Sequence, residues 1–300
     1  MSDAPSPEVS LIMPVWRPRR EWLRSAVQSV LEEDGCDVEL VVVDDGNDQP
    51  VAELLDDIHD PRLRILRVDH GGAYTARNTG LDVARGSWVR FVDADDVVER
   101  HSTARLLALT EGAGDVIAYG TTLMCDEELN PEAELGSDIQ GRADEACVLA
   151  AFDVRVVSML FSRSLLERAG TWDPSFAISG DWDYVLRALE HGRVRGERAT
   201  ATYYRRHAAS LTKAANVAAG EEAWQRILDG YFGRHPEKQG SELERRARRT
   251  LLLDRAAAYA HVRQRRRALA RLLQAGRLDP SAALRLALRL GRDELKRLLR

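Results

Sequence analysis

Apolar residues fall along this chain in two alternating rhythms, short continuous runs and runs spaced by three or four. Val9–Val15 is a mostly apolar run of strand length that ends near Pro14, where a central strand has to stop. Leu23, Ala26, Val27, Val30 and Leu31 then recur at helical spacing, with Gly35 placed to cap that helix. Val38–Val43 is a β-branched run closing on Asp44, Asp45 and Gly46, and Leu63–Val68 is a further strand before Gly71 and Gly72. The pattern next predicts a helix over residues 73–84 and a strand over 88–92. Strands separated by helices make parallel β-α-β units with both sheet faces covered, and ligands in such sheets bind at the carboxyl ends of the strands.

Polar residues gather at those ends: Asp44 and Asp45 after the second strand, Asp69 and His70 after the third, Asp93, Asp95 and Asp96 after the fourth. An acidic pocket repels a phosphate-bearing ligand unless a cation stands between them, so the layout suggests a metal-assisted nucleotide site. Two carboxylates one residue apart, Asp93 and Asp95, can hold a hard divalent ion whose other ligands are diphosphate oxygens and water. The plain alternative is a turn with a helix cap from Asp96.

Residues 121–142, rich in Glu, Gly and Asn with Pro131, read as a long loop or lid. Trp182, Val185, Leu186 and Leu189 share a helix face, which puts Asp181 in the first turn of that helix, just behind Ser179 and Gly180. Beyond Gly220 the composition shifts to Arg, Ala and Leu. Three helices are expected there, over 241–261, 266–275 and 281–290, with Asp279–Pro280 as a start and Gly276 and Gly291 as stops. The layout is then a flexible N-terminus over 1–8, an α/β domain over 9–220 divided at residue 120, and an Arg/Leu-rich helical appendage over 221–300.

Charge sharpens that division. The net charge of -5 resolves into -15 for residues 1–220 and +10 for 221–300. The basic helices can pack on the acidic domain, form a homodimer or lie on an anionic membrane surface. No aromatic stacking platform accompanies the arginines, so nucleic acid is the least favoured partner. Cys36, Cys125 and Cys147 form no close pair and suggest neither a disulfide framework nor a zinc site. No stretch approaches the roughly 18 apolar residues of a membrane-spanning helix, and Met1–Pro7 lacks a signal pattern. The expectation is a cytoplasmic protein, open to peripheral contact at the inner face of the membrane.

Several ordered motifs carry a resemblance. Val9-Ser-Leu-Ile-Met-Pro-Val15, Val43-Asp-Asp-Gly-Asn-Asp48, Gly72-Ala-Tyr-Thr-Ala-Arg-Asn-Thr-Gly80, Phe91-Val-Asp-Ala-Asp-Asp96, the stretch 161–176 and Gly180-Asp-Trp-Asp-Tyr-Val-Leu-Arg187 follow one another in the chain. In sequence and spacing they resemble the inverting family-2 glycosyltransferases, over about residues 9–211. The resemblance implies the GT-A fold, a Rossmann-like, mostly parallel central sheet with helices on both faces, here followed by the helical appendage. It implies transfer of a sugar from a nucleotide diphosphate sugar, with a UDP-sugar favoured, to an acceptor hydroxyl that remains open. The cofactor it implies is Mn2+ or Mg2+.

The resemblance also distributes roles. Asp95 is the favoured direct metal ligand, with Asp93 acting on the metal, through water or toward the ribose, and His207 completing the metal or diphosphate site. Arg205 or Arg206 offers phosphate charge. Asp44 or Asp45 takes the nucleobase, for which uracil suits a carboxylate, while Pro14, Val15, Gly72, Arg77 and Asn78 approach the donor. Arg77 can equally brace the acidic sheet edge. Trp172, Gly180, Trp182 and Asp183 belong to the acceptor side, and Asp181 is the general base, with Asp183 as its competitor. The macrodipole alone could place Asp181 at its helix N-terminus. The chain departs from the family where Gly180 replaces a Glu, where Asn47 replaces a Ser, and at Trp16. The missing Glu leaves a non-catalytic binding protein as one rival. A nucleotidyltransferase is another, although Pro14-Val-Trp-Arg-Pro-Arg-Arg20 lacks the glycines of a triphosphate grip.

Overall fold

The computed structural model describes residues 6–150, 152–207 and 217–298, and side chains as far as Gly291. The first four strands form where the apolar runs stand. β1 (Val9–Val15), β2 (Val38–Asp45), β3 (Leu63–Val68) and β4 (Trp88–Phe91) alternate with α1 (Arg20–Leu31), α2 (Val51–Leu54) and α3 (Ala73–Val83). They lie in the order β3-β2-β1-β4, all parallel, and the inward side chains of β1 and β2 make the core with Leu23, Val27 and Val30 of α1. α1 ends at Leu31, so Gly35 lies in the following turn and does not cap it.

Proline 14 has a use that the sequence pattern understates. β1 runs on through Pro14 to Val15 against β2, while on the β4 side Val92 N–H donates to Ile12 O at 3.0 Å. The next donor on that edge would be residue 14, which has no N–H. The β1–β4 ladder therefore ends there, just before Asp93. Gly80 lets α3 press on the same strand, since a Cβ at this position would lie 2.4 Å from Ile12 Cγ2.

The second half of the sheet is mostly antiparallel. β5 (Val97–Val98), α4 (Ser102–Ala108), β6 (Val116–Cys125) and β7 (Pro131–Leu135) are followed by α5 (Asp144–Val148), β8 (Met159–Ser162), α6 (Arg163–Ala169), α7 (Gly180–His191) and β9 (Arg193–Arg205). The order continues β4-β8-β6-β9-β5, with β6 and β9 parallel and β7 paired on β6. The expected lid over 121–142 is thus corrected: β6 runs to Cys125 and turns back as β7, its backbone groups satisfied by pairing.

By contact the chain divides into two compact units. One is the described part of Met1–Asp144, Phe152–Ser175 and Gly180–Ala209, and the other that of Glu145–Ala151, Phe176–Ser179 and Ser210–Arg300. The second unit contains α8 (Val217–Arg234), α9 (Glu242–His261), α10 (Arg265–Leu278) and α11 (Pro280–Leu298). Asp279 caps α11 by accepting from Ala282 N–H at 2.9 Å. Gly276 and Gly291 do not stop helices; α10 and α11 run through them despite a cost of about 1 kcal/mol each. Of the N-terminal stretch expected to be flexible, residues 1–5 lie outside the described residues, and Glu8 already bonds to Asp37 and Trp88. Among the described residues no helix is long and apolar enough to cross a membrane.

Candidate functional site

At the carboxyl end of β2 the chain spends its acids on itself. Asp44 and Asp45 are each only 1% exposed. Asp44 accepts from Asn47 N–H at 3.0 Å, Asn47 Nδ2 at 2.7 Å and Val51 N–H at 3.0 Å. Burial alone would raise its pKa, but these bonds outweigh burial and hold the carboxyl below its ordinary value. Asn47 also donates to Val15 O at 2.9 Å and accepts from Arg17 N–H at 2.6 Å, so its amide ties the end of β1 to the β2 turn. Asp45 accepts from Gly71 N–H at 2.8 Å and Gly72 N–H at 3.0 Å, and meets His70 Nδ1 at 2.8 Å. Gly46 makes this approach possible: its φ is +71°, and a Cβ there would lie 2.7 Å from His70 N. His70 in turn stacks on the exposed Trp16 ring, centroids 3.7 Å apart.

Asp44 is therefore a turn-builder turned inward, not a surface for a base. Val15 is buried as well, with its carbonyl already taken, and Pro14 lies within the strand.

The end of β4 is built differently. One ligand atom from each of Asp93, Asp95 and Asp96 lies within 4.8 Å of the others. Asp93 accepts from Arg77 Nη2 at 2.6 Å, Asp95 Oδ2 meets His207 Nε2 at 2.7 Å, and Asp96 Oδ1 accepts from Arg205 N–H at 2.9 Å. The second oxygen of Asp96 is buried without a partner. Burial first, then the neighbouring carboxylates, push Asp96 well above its ordinary pKa and raise Asp95 too, against the opposing pull of His207. Asp96 is thus no helix cap; β5 follows it. Three converging hard oxygen donors, one with an unpartnered oxygen, suit a divalent ion such as Mg2+ or Mn2+.

Arg205, which the strand β9 brings from far along the chain, braces this turn. It donates to Asp95 O at 2.9 Å and to Glu127 O, and its guanidinium lies 5.0 Å from the Trp22 ring. Arg206 points elsewhere, to Glu132 at 2.8 Å. Residues 208–216, which include the end of the family resemblance, lie outside the described residues.

A chain of aromatics links the acidic turn to α7. The buried Arg77 cation sits 4.8 Å from the Trp172 ring and 5.8 Å from Tyr74. Trp172 is fully buried, stacked on Tyr184 at 4.0 Å and meeting Phe91 edge-on at 4.9 Å. It is core, so the expected acceptor contact at Trp172 is corrected. Asn78 likewise faces the protein, its amide bridging Trp172 N–H at 2.8 Å and Trp172 O at 2.9 Å. Gly180 N–H donates to Tyr74 Oη at 2.9 Å, fixing the start of α7. Burial, and then the charge of Asp181, push the Tyr74 hydroxyl up to about 12. Trp182 is half-buried in this first turn. Asp183 is committed to Arg187 at 2.9 Å, whereas among the described residues no hydrogen bond or ion pair holds the half-buried Asp181 carboxylate.

Tyr74, Asn47, Arg205 and Asp96 are residues that sequence reasoning passed over or read otherwise. Only the turn chemistry of Asn47 was local enough to find.

Known proteins are similar to this chain. The model of "Glycosyl transferase family 2" matches residues 10–167. "Uncharacterized glycosyltransferase EpsJ" of Bacillus subtilis is 28% identical over 235 residues, 73% of this chain and 67% of EpsJ. "Succinoglycan biosynthesis protein ExoO" of Rhizobium meliloti is 34% identical over 113 residues, 37% of this chain and 32% of ExoO. The chain thus spans about two thirds of the one relative and a third of the other. The crystal structure of S. aureus TarS 1-349 in complex with UDP-GlcNAc has a TM-score of 0.62 at 13% identity, covering 93% of this chain and 83% of TarS 1-349. That likeness shows the GT-A fold. With its family match over more than half of its length, the chain belongs to glycosyl transferase family 2 and is a glycosyltransferase.

Proposed function

We propose that the protein is an inverting, metal-dependent glycosyltransferase using a UDP-sugar, with residues 9–220 as the transferase domain. The observation that carries this reading is the acidic turn after β4, where three carboxylates converge and one buried oxygen lacks a partner. Asp93, Asp95 and Asp96 would hold the divalent ion, with His207 beside Asp95. When bound, the ion supplies positive charge against the diphosphate leaving group.

The chain's own residues do the rest. Arg77 fixes Asp93, and Arg205 fixes the backbone of the turn. Asp45, its oxygens already engaged by Gly71, Gly72 and His70, fixes the loop beside Trp16, whose exposed ring offers a stacking face for the uracil. Uridine is supported by the TarS complexes with UDP-GlcNAc and UDP. Asp181 takes the proton of the acceptor hydroxyl. The freed oxygen forms a bond to the anomeric carbon from the side opposite the diphosphate, whose C–O bond breaks with its electron pair, so the configuration inverts.

Calorimetric titration of UDP with and without Mn2+, on the wild type and Asp95→Asn, tests this. Binding that needs Mn2+ and disappears in the variant is expected. Equal binding in EDTA would remove the metal, and preference for guanosine or thymidine diphosphate would remove uridine.

A further inference from the structure

Two C-terminal helices present leucines outward. Leu269, Leu273 and Leu278 of α10 and Leu284 and Leu288 of α11 are 42–62% exposed. Among the described residues, Trp16 is the one other large apolar side chain so exposed. Leu269 and Leu273 stand one turn apart, and exposed Arg266 and Arg277 continue the same row at either end. Leu284 and Leu288 repeat that spacing on α11, each followed by an exposed arginine, Arg285 and Arg289. An amphipathic helix whose apolar stripe stays uncovered needs an occupant for it.

Charge decides which occupant. Residues 263–290 carry eight arginines and one acid, Asp279. That acid is already spent, capping α11 through one oxygen and accepting from Arg249 at 2.8 Å through the other. Arg271 is turned toward Glu221 at 3.1 Å and is committed there. Among the described side chains, what remains outside is leucine bordered by cations with no free carboxylate among them. A second copy meeting this face about a twofold axis would bury the leucines but set arginine against arginine. A surface that is apolar in depth and anionic at its rim satisfies both parts at once.

We propose that the α10–α11 hairpin docks on an anionic lipid bilayer, with Leu269, Leu273, Leu284 and Leu288 entering the headgroup boundary and the flanking arginines meeting lipid phosphates. This stands apart from the transfer chemistry, because none of these residues belongs to the acidic turn or to α7.

Sedimentation of the full-length protein with phosphatidylglycerol–phosphatidylcholine vesicles, against phosphatidylcholine alone, tests it. The expected result is pelleting with the mixed vesicles only, weakened by salt. It should fall at least about tenfold in Leu273→Gln/Leu284→Gln/Leu288→Gln, whose substitutions are all at exposed positions. Arg266→Gln/Arg277→Gln gives an independent reading that keeps every leucine, and should also weaken pelleting. Circular dichroism confirms that each variant keeps its helices. No pelleting of the folded wild type overturns the proposal, as does pelleting that the leucine variant leaves unchanged. A dimer in light scattering that dissolves in the leucine variant overturns it in favour of a second copy.

Discussion

β2 and β4 flank the same strand, run the same way and both end in clustered aspartates, yet their two turns treat the carboxylate oppositely. After β2, the oxygens of Asp44 and Asp45 receive their donors from residues 47–72, most of them backbone N–H groups. After β4, the acids crowd one another and one buried oxygen receives nothing. A carboxylate saturated by its own chain builds the frame; one left short of donors keeps capacity for a cation or a proton. The first turn of α7 repeats the contrast, with Asp183 paired to Arg187 and Asp181 held by no hydrogen bond or ion pair among the described residues.

Exchanging the two members of that helical turn gives the largest expected effect. Asp181→Asn should lower kcat by about 10²- to 10⁴-fold while leaving the unfolding midpoint and the affinity for UDP with Mn2+ as in wild type. Asp183→Asn should do the reverse, loosening Arg187 with most of kcat retained. Steady-state kinetics beside thermal melts would separate them, and an Asp181→Asn enzyme of normal turnover would refute the assignment.

The second test is structural. Asp44→Ala strands the buried Asn47 amide and the Val51 N–H, and should cost about 3 kcal/mol in urea unfolding. Asp95→Ala, which relieves repulsion in the metal-free protein, should stay within about 1 kcal/mol of wild type. Comparable losses in both would dissolve the distinction between the turns.

The same distinction explains what was legible. Asp44 draws its donors from residues three and seven positions on, and the continuous apolar runs of β1 to β4 announce themselves locally. Asp96 takes its single donor from Arg205, 109 residues away, so no window of sequence separates it from an ordinary cap. Trp172 reads as a surface aromatic until Tyr184 and Phe91 are seen to enclose it. β9, whose Val, Thr and Tyr are interrupted by Arg and Glu, and β7, with its Pro131 and two Glu, are strands by virtue of the strands they pair with, since β-propensity depends on context.

Metal loading gives the third test. At a Mn2+ concentration about a hundred times its Kd, the wild type should gain about 2.7 kcal/mol of stability. Asp95→Asn should lose that gain. Asp45→Asn, though less stable at the outset, should keep it, because its carboxylate serves the Gly71–Gly72 loop. A gain abolished equally by both would mean that the ion is not held by the β4 turn alone.

The smallest effect lies in the pH dependence of the metal-free protein, where each proton of difference between folded and unfolded states changes stability by about 1.4 kcal/mol per pH unit. The Asp44 pKa is depressed on folding, the donated bonds having outweighed burial, so its contribution is present above the unfolded value and is lost as pH falls through the folded one. Asp95 and Asp96 are raised by burial and mutual repulsion, so the folded state keeps protons that the unfolded chain releases. Their contribution is full below the unfolded value and declines as pH rises toward the folded one. Urea midpoints measured in EDTA should therefore fall on both sides of a maximum. Asp44→Asn should flatten the acid limb and Asp96→Asn the neutral limb. Saturating Mn2+ should flatten the neutral limb in the wild type as well, because the cation takes the place of the protons. A neutral limb untouched by Asp96→Asn and by Mn2+ alike would locate it in other groups, and the two turns would no longer differ in the way their bonding implies.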